Sequence, residues 1–311
     1  MERIVLDTDL AMGAPGSDID DGFALALALG DPGIALDLVT TVAGNTDVGT
    51  ATTLTLELLH RCGHPEVPVH RGASRALLRP HDRPGAVPSG VPRREPAGTL
   101  AAASLAEHVL SHPGQVTVVA IGPLTNLALA VRLAPSFATA VRRIVVMGGE
   151  FLGGSHDLAM PGEFNLWSDP EAARIVLGSG APLEFVGLDV TRQVRVSRAE
   201  SLEMSRSERP FTAFAGEYTA AWIDQLDPRY ADPPGTCALH DPLAVAAVTR
   251  PDLLDWRGAR VEVECGDRLR GVVVTDFLDG PNPPAANCRV AVAVDSAGFR
   301  EHFDAALARL G

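Results

Sequence analysis

The chain has 311 residues, enough for one large α/β domain or two small ones, and its 46% hydrophobic content provides for a sizeable core. A net charge of −13 disfavours partners such as nucleic acid or an anionic membrane surface. There is no lysine anywhere, which excludes Schiff-base and P-loop chemistry.

The first predicted strand, residues 4–6, runs into Asp7-Thr8-Asp9. A Gly/Pro/Ser loop then leads to Asp18-Ile19-Asp20-Asp21, where a helix-patterned stretch opens. Five Asp side chains within fifteen residues repel one another unless a cation sits among them. Oxygen-only ligands suit a hard cation, Ca²⁺ or Mg²⁺, better than zinc. One such Asp could be no more than a helix cap, but capping does not explain the cluster.

A strand over 34–42 ends in Ala43-Gly44-Asn45, and a helix follows over 48–61. Residues 67–70 form a short strand. Residues 71–98, rich in Pro, Gly and Arg without periodicity, read as a long loop of the kind that carries function. A helix over 99–110 precedes a strand over 116–121, and Gly122-Pro123 opens the next helix. Residues 144–147 are a strand ending at Gly148-Gly149, and 150–168 are a second loop. A helix over 170–177 and a strand over 183–186 lead to Asp189. This alternation predicts an α/β fold with a mostly parallel central sheet and helices on both faces, ligands binding at the carboxyl ends of its strands.

Beyond Asp189 the pattern changes to a helical segment over about 197–250, in which Tyr218, Trp222 and Tyr230 either stack on a ligand or pack against the sheet. Short edge strands over 261–264, 271–275 and 288–294 follow, then a closing helix over 299–310. No repeat and no linker interrupts the chain, so residues 1–311 read as one domain. No apolar stretch is long enough to span a bilayer, the start Met1-Glu2-Arg3 is not a signal peptide, and Cys62, Cys237, Cys265 and Cys288 have no paired spacing. These features read as a cytoplasmic protein with reduced thiols.

Every strand-to-helix junction carries polar residues, and carboxylates with carboxamides at one sheet edge could grip a polyol such as a sugar. The ordered motifs are Asp7-Thr8-Asp9 with Asp20-Asp21, Val42-Ala43-Gly44-Asn45, Ile121-Gly122-Pro123-Leu124-Thr125-Asn126, Met147-Gly148-Gly149, Glu163-Phe164-Asn165, Asp169-Pro170-Glu171-Ala172-Ala173, Gly187-Leu188-Asp189-Val190-Thr191 and His240-Asp241-Pro242-Leu243. Together they resemble the inosine–uridine-preferring nucleoside hydrolase family over residues 3 to about 295.

The resemblance implies a Rossmann-like fold and Ca²⁺-dependent hydrolysis of ribonucleosides to ribose and free base, in the service of purine and pyrimidine salvage. It implies Asp9, Asp21, Asp241 and the backbone carbonyl of Thr125 as metal ligands. Asp9 would also be the general base, and His240, with an ordinary histidine pKa, the acid for the leaving base. Asp20, Asn45, Asp157, Glu163, Asn165 and Asp241 would bind the substrate, Glu163 at the 5′-hydroxyl and Asn165 at the 2′/3′ side. The partner would be a small ribonucleoside, with no nucleic acid or membrane, and the assembly a homodimer or homotetramer.

Two features depart from the family pattern. Ten residues, Leu10 to Ile19, separate Asp9 from Asp20 where three are usual. The extra length either loops over the pocket, the favoured reading, or brings Asp18 in as a ligand. The position of a 5′-binding Asn falls on Asp157, after His156, which points toward a modified N-ribosyl substrate. His81 in Arg79-Pro80-His81-Asp82-Arg83 is a loose substitute for a His-Gly segment on the base side. The competing readings are a non-catalytic ribosyl-ligand binder and a haloacid-dehalogenase-type phosphatase, which normally needs the lysine this chain lacks.

Overall fold

Apolar runs without alternation belong to strands buried on both faces, and the strands over 116–120, 143–147 and 183–186 follow that rule. The computed structural model describes residues 1–80, 83–153, 158–226 and 233–310. Its strands are β1 (Glu2–Thr8), β2 (Ile34–Thr41), β3 (Val69–Arg71), β4 (Val116–Ala120), β5 (Arg143–Met147), β6 (Leu183–Val186), β7 (Arg195–Ser197), β8 (Thr236–Ala238), β9 (Leu254–Val263), β10 (Val273–Asp276) and β11 (Cys288–Val294). Among the described residues, nine of them form one sheet in the order β10-β9-β11-β6-β5-β4-β1-β2-β3. All pairings from β3 across to β11 are parallel. The last two strands, β9 and β10, are antiparallel additions at the edge. β1 sits in the interior of the sheet, so Asp7 and Asp9 leave it near its middle.

The helices are α1 (Asp20–Gly30), α2 (Val48–Arg61), α3 (Ala101–Ser111), α4 (Thr125–Leu133), α5 (Phe137–Ala140), α6 (Phe164–Ser168), α7 (Pro170–Leu177), α8 (Leu188–Thr191), α9 (Arg198–Met204), α10 (Pro210–Gln225), α11 (His240–Thr249) and α12 (Ser296–Leu307). Side chains alternate along β1: Ile4 and Leu6 join α1, α2, α10, α11 and α12 on one face, while Val5 joins α3, α4, α5 and α7 on the other. Helix α1 is apolar all round because it is enclosed all round. Phe23 meets Phe211 and Phe303 edge-on at 6.2 and 5.6 Å, and Gly30 abuts α12 so closely that a Cβ would lie 2.2 Å from the Ala306 carbonyl oxygen.

Several short elements escape the sequence reading. Helices α5 and α8 have four residues each, and β7 and β8, with three each, pair only with each other. Elements shorter than one pattern repeat give no periodic signal. The loop 150–168 ends in α6, and β9 begins at Leu254, earlier than the pattern suggests.

Asp31 closes α1 and ties it to α11 and α12. Its carboxylate accepts from Gly33 N at 2.7 Å and Thr249 Oγ1 at 2.5 Å, and lies 3.2 Å from His302 Nε2. Desolvation raises its pKa, but the bonds from His302, Thr249 and Gly33 outweigh that and bring it from 3.8 to about 2. A carboxylate depressed in the folded state stabilises the fold above its ordinary pKa, and that contribution is lost as pH falls through the folded value. Asp31→Asn is therefore expected to flatten the loss of stability between pH about 4 and about 2. Urea titrations equally steep in pH for both proteins would remove Asp31 from the acid linkage.

Candidate active site

The carboxyl end of β1 delivers Asp7 and Asp9, both fully buried, and the first turn of α1 delivers Asp20 and Asp21. The first turn of α11 brings Asp241 in from the far end of the chain, and its backbone N–H donates to Asp20 Oδ2 at 3.1 Å. Carboxylate oxygens of Asp20, Asp21 and Asp241 all lie within 4.8 Å of one another. Two helix N-termini thus face the acids with their partial positive charge, which offsets part of the repulsion.

Asn45 ties the strand acids to the helix acids. Its backbone N–H donates to Asp9 Oδ2 at 2.6 Å, and its Nδ2 donates to Asp21 Oδ2 at 3.2 Å. The hydroxyl of Thr8 donates to Asp21 Oδ1. Asp7 Oδ1 accepts from Thr40 Oγ1 at 2.5 Å and from Asn126 Nδ2 at 2.8 Å. What remains is telling: Asp9 Oδ1 and Asp7 Oδ2 are buried with no hydrogen-bond partner. Backbone presses on Asp9 from two sides, since a Cβ on Gly44 would lie 2.0 Å from its Oδ2 and one on Gly122 would lie 2.9 Å from its Oδ1.

Burial dominates the electrostatics. Desolvation pushes Asp7 and Asp9 up to about 7, against bonds from Thr40 and Asn126 in the first and from Asn45 in the second. Asp20, Asp21 and Asp241 are raised well above the usual carboxylate range by desolvation and then by neighbouring acids, Asp18 and Asp21 acting on Asp20, Asp9 and Asp18 on Asp21, and Asp20 and Asp21 on Asp241. No arginine or histidine among the described residues pairs with any of these five. A bare cluster of oxygen donors that resists ionisation, with orphaned oxygens inside it, is what a hard divalent cation would complete.

The other anticipated residues take definite places. Thr125 begins α4 and its hydroxyl donates to Asp169 Oδ2 at 2.7 Å. Glu163 caps α6: Oε1 accepts from Asn165 N at 2.8 Å, and Oε2 from Leu166 N at 3.1 Å and Gly149 N at 3.0 Å. Asn165 spends its Nδ2 on the carbonyls of Ile121 and Met147 at 3.0 and 3.3 Å. Asn126 acts as a brace, since it also donates to Thr41 O at 3.0 Å and accepts from Ala73 N at 2.9 Å. His81, His156, Asp157 and Tyr230 lie outside the described residues.

The structure adds detail to three of the anticipated features. In the stretch Leu10 to Ile19, residues Leu10 to Ala14 pack inward, with Gly13 against Leu54 of α2 and Phe214 of α10, and only Pro15 and Gly16 are exposed. Asp18 is half-buried and its Oδ1 accepts from Ile19 N at 2.7 Å. His240 does not keep an ordinary pKa: desolvation, then the charges of Arg192 and Arg195, bring it down to about 3. Its Nδ1 shares a 2.6 Å hydrogen bond with Thr191 Oγ1. Tyr218 and Trp222 are part-buried against the apolar face of α1 and α2, and the Tyr218 ring lies 4.6 Å from that of Phe214. Thr8, Thr40 and Thr191 were not anticipated, since a threonine next to an acid carries no signal in sequence.

The sequence model described as inosine-uridine preferring nucleoside hydrolase matches residues 4–301. Uridine nucleosidase 1 of Arabidopsis thaliana is 34% identical over 327 residues, covering 98% of this chain and 93% of its own length. The non-specific ribonucleoside hydrolase RihC of Salmonella paratyphi C is 35% identical over 311 residues, covering 96% and 95%. Among solved structures, the purine-preferring ribonucleoside hydrolase from Gardnerella vaginalis superimposes with a TM-score of 0.86 at 28% identity, covering 99% of both chains. The plant nucleoside hydrolase PpNRh1 gives the same TM-score and identity over 98% of both chains. With its parallel sheet, its ordered junction motifs and a match over nearly its full length, the chain belongs to the inosine-uridine preferring nucleoside hydrolase family, a family of N-glycosidases.

Proposed function

We propose that this nucleoside hydrolase cleaves ribonucleosides to ribose and free base with Ca²⁺ held by Asp9, Asp21, Asp241 and the backbone carbonyl of Thr125. The observation that carries the reading is the buried group of five carboxylates with two orphaned oxygens and, among the described residues, no basic partner. Names of similar proteins, uridine nucleosidase and ribonucleoside hydrolase, supply the substrate class.

When bound, a divalent cation supplies the charge these oxygens lack, takes up vicinal sugar hydroxyls and lowers the pKa of a water beside it. Asp9 takes the proton from the attacking water. Asp20 holds a ribose hydroxyl, Asn45 a hydroxyl near the cation, Asn165 the 2′/3′ side and Glu163 the 5′-hydroxyl. As the glycosidic bond lengthens the sugar becomes oxocarbenium-like, and the surrounding carboxylates stabilise its positive charge. His240, braced by Thr191, keeps its proposed place beside the leaving base, but burial and the charges of Arg192 and Arg195 leave it neutral in the bare pocket, so it would act as the acid only once the charge of the departing base raises its pKa. Asp157 keeps its proposed place on the 5′ side, where it would favour a modified N-ribosyl substrate.

The reading takes residues 1–311 as one domain, because β9 and β11 of the C-terminal part extend the same sheet as β1. It also takes the protein as a cytoplasmic homodimer or homotetramer of nucleoside salvage, which light scattering on purified protein tests for assembly. No helix among the described residues is long and apolar enough to cross a membrane.

Three outcomes test the proposal. Carboxylates with raised folded pKa values stabilise the fold when protonated, and that contribution is lost as pH rises through about 7 for Asp7 and Asp9. Calcium should therefore raise Tm more at pH about 8 than at pH about 5, its stabilisation at pH about 8 reaching roughly 3 kcal/mol at a hundredfold excess over Kd. A Tm indifferent to Ca²⁺ at both pH values would sink the metal site. Asp9→Ala should lower kcat on uridine or inosine by at least about a thousandfold and weaken Ca²⁺ binding; near-normal turnover would reassign the base. His240→Ala should slow nucleosides by about a hundredfold while sparing p-nitrophenyl riboside. Equal loss on both would mean that His240 does not protonate the base.

A further inference from the structure

Loop 71–98 is anchored at several points around the carboxylate pocket. Leu77 N donates to Asp169 Oδ2 at 2.9 Å, and Arg79 pairs with Asp267. Gly85 N donates to Asp47 Oδ2 at 2.9 Å, and Gly85 packs so tightly on Thr46 that a Cβ would lie 1.8 Å from its hydroxyl. Asp47 and Thr46 directly follow Asn45, which holds Asp9 and Asp21. The loop is therefore fixed to the rim of the site two residues beyond Arg83.

Arg83 is exposed, and its guanidinium carbon lies 5.0 Å from the centre of the Phe164 ring. Phe164 stands between Glu163 and Asn165. The positive charge of Arg83 also acts on Asp18, two residues before Asp20. Two walls of the pocket, the Asp18–Asp20 segment and the Glu163–Asn165 segment, thus bear on the Arg83 side chain, and the Asn45 turn anchors its loop two residues further on. Among the described residues, Arg83 has no salt bridge and no hydrogen bond; its ring contact is a face it can leave. An arginine with five free donors, held over an acidic pocket in a chain of net charge −13, has a charge available for a ligand.

Building on the proposed hydrolysis, we propose that Arg83 is the specificity residue that receives the negative charge of the departing base, so that bases with ring carbonyls leave best. In the reaction the C1′–N bond breaks and its electron pair goes to the base nitrogen. A C1′–O bond forms from water, whose proton passes to a carboxylate, and the base regains a proton from its donor or from solvent. A base with ring carbonyls spreads the released pair onto oxygen, where a planar guanidinium bonds it well. The sugar's positive charge is met by the acids at the pocket floor, and the base's negative charge by Arg83 at the rim.

The test compares the wild-type protein in Ca²⁺ with Arg83→Gln and Arg83→Lys on uridine, 5-fluorouridine, inosine, 5′-deoxyuridine and p-nitrophenyl riboside. Arg83→Gln should cut kcat/KM on uridine and inosine by about ten- to a hundredfold. The loss should be smaller on 5-fluorouridine and smallest on p-nitrophenyl riboside, whose leaving anion is stable by itself. Arg83→Lys should recover part of the loss, with Tm unchanged in both variants. A uniform loss over all leaving groups, or one that vanishes with 5′-deoxyuridine, overturns the assignment and puts Arg83 on the sugar. Wild-type activity that Arg83→Gln leaves untouched overturns this inference alone. A wild-type protein inactive on every substrate overturns the proposed hydrolysis together with it.

Discussion

Mutual repulsion of buried carboxylates is the constraint around which this molecule is arranged. Unit charges about 5 Å apart repel by about 3 kcal/mol at an effective dielectric of about 20, and Asp20, Asp21 and Asp241 are packed within that distance. The chain tolerates this by directing backbone dipoles, hydroxyls and amides at the acids. Two helix N-termini, the Thr8 and Thr40 hydroxyls and the amides of Asn45 and Asn126 all donate inward. None of them carries a full positive charge. The pocket therefore keeps a deficit that protons relieve in the bare protein.

That arrangement needs a rigid floor. The carboxyl end of an interior parallel strand is the most firmly held place in the sheet, because it is hydrogen-bonded on both sides and covered on both faces. β1 occupies that place between β2 and β4. Gly44 and Gly122 allow neighbouring backbone to close on Asp9, so its carboxylate has little freedom to turn away. Precise positioning here comes from the packing of main chain, which longer side chains could not hold at the same low entropy cost.

Most of this was readable from the chain because it rests on local pattern. Apolar runs of strand length, each followed by a polar junction and a helical period, announce a parallel α/β sheet, and the acids after β1 announce the pocket. What was not readable depends on partners distant in sequence. Glu163 looks like a ligand for substrate, yet the structure also gives it a capping role at α6. His240 has an ordinary sequence context, but Arg192 and Arg195 and its burial take its pKa to about 3. Tyr218 and Trp222 could stack on a base or pack the core, and only tertiary contacts with the apolar face of α1 and α2 place them. Leu10 to Ala14 read as a loop because Gly and Pro punctuate them; their burial against Leu54 and Phe214 needed helices more than forty residues away.

The hydrogen bond from Asp241 N to Asp20 Oδ2 spans 221 positions of sequence. During synthesis α1 emerges long before α11 exists, so its opening acids spend that interval without the N-terminus that later covers them. Long-range closures of this kind form late and are slow, because chain entropy is lost before the contact repays it. The pocket is consequently the last part of the sheet's catalytic edge to be assembled. A nascent chain released short of residue 241 would lack Asp241, one of the three acids that cluster there. Appearance of tight cation binding would then mark completion of the fold.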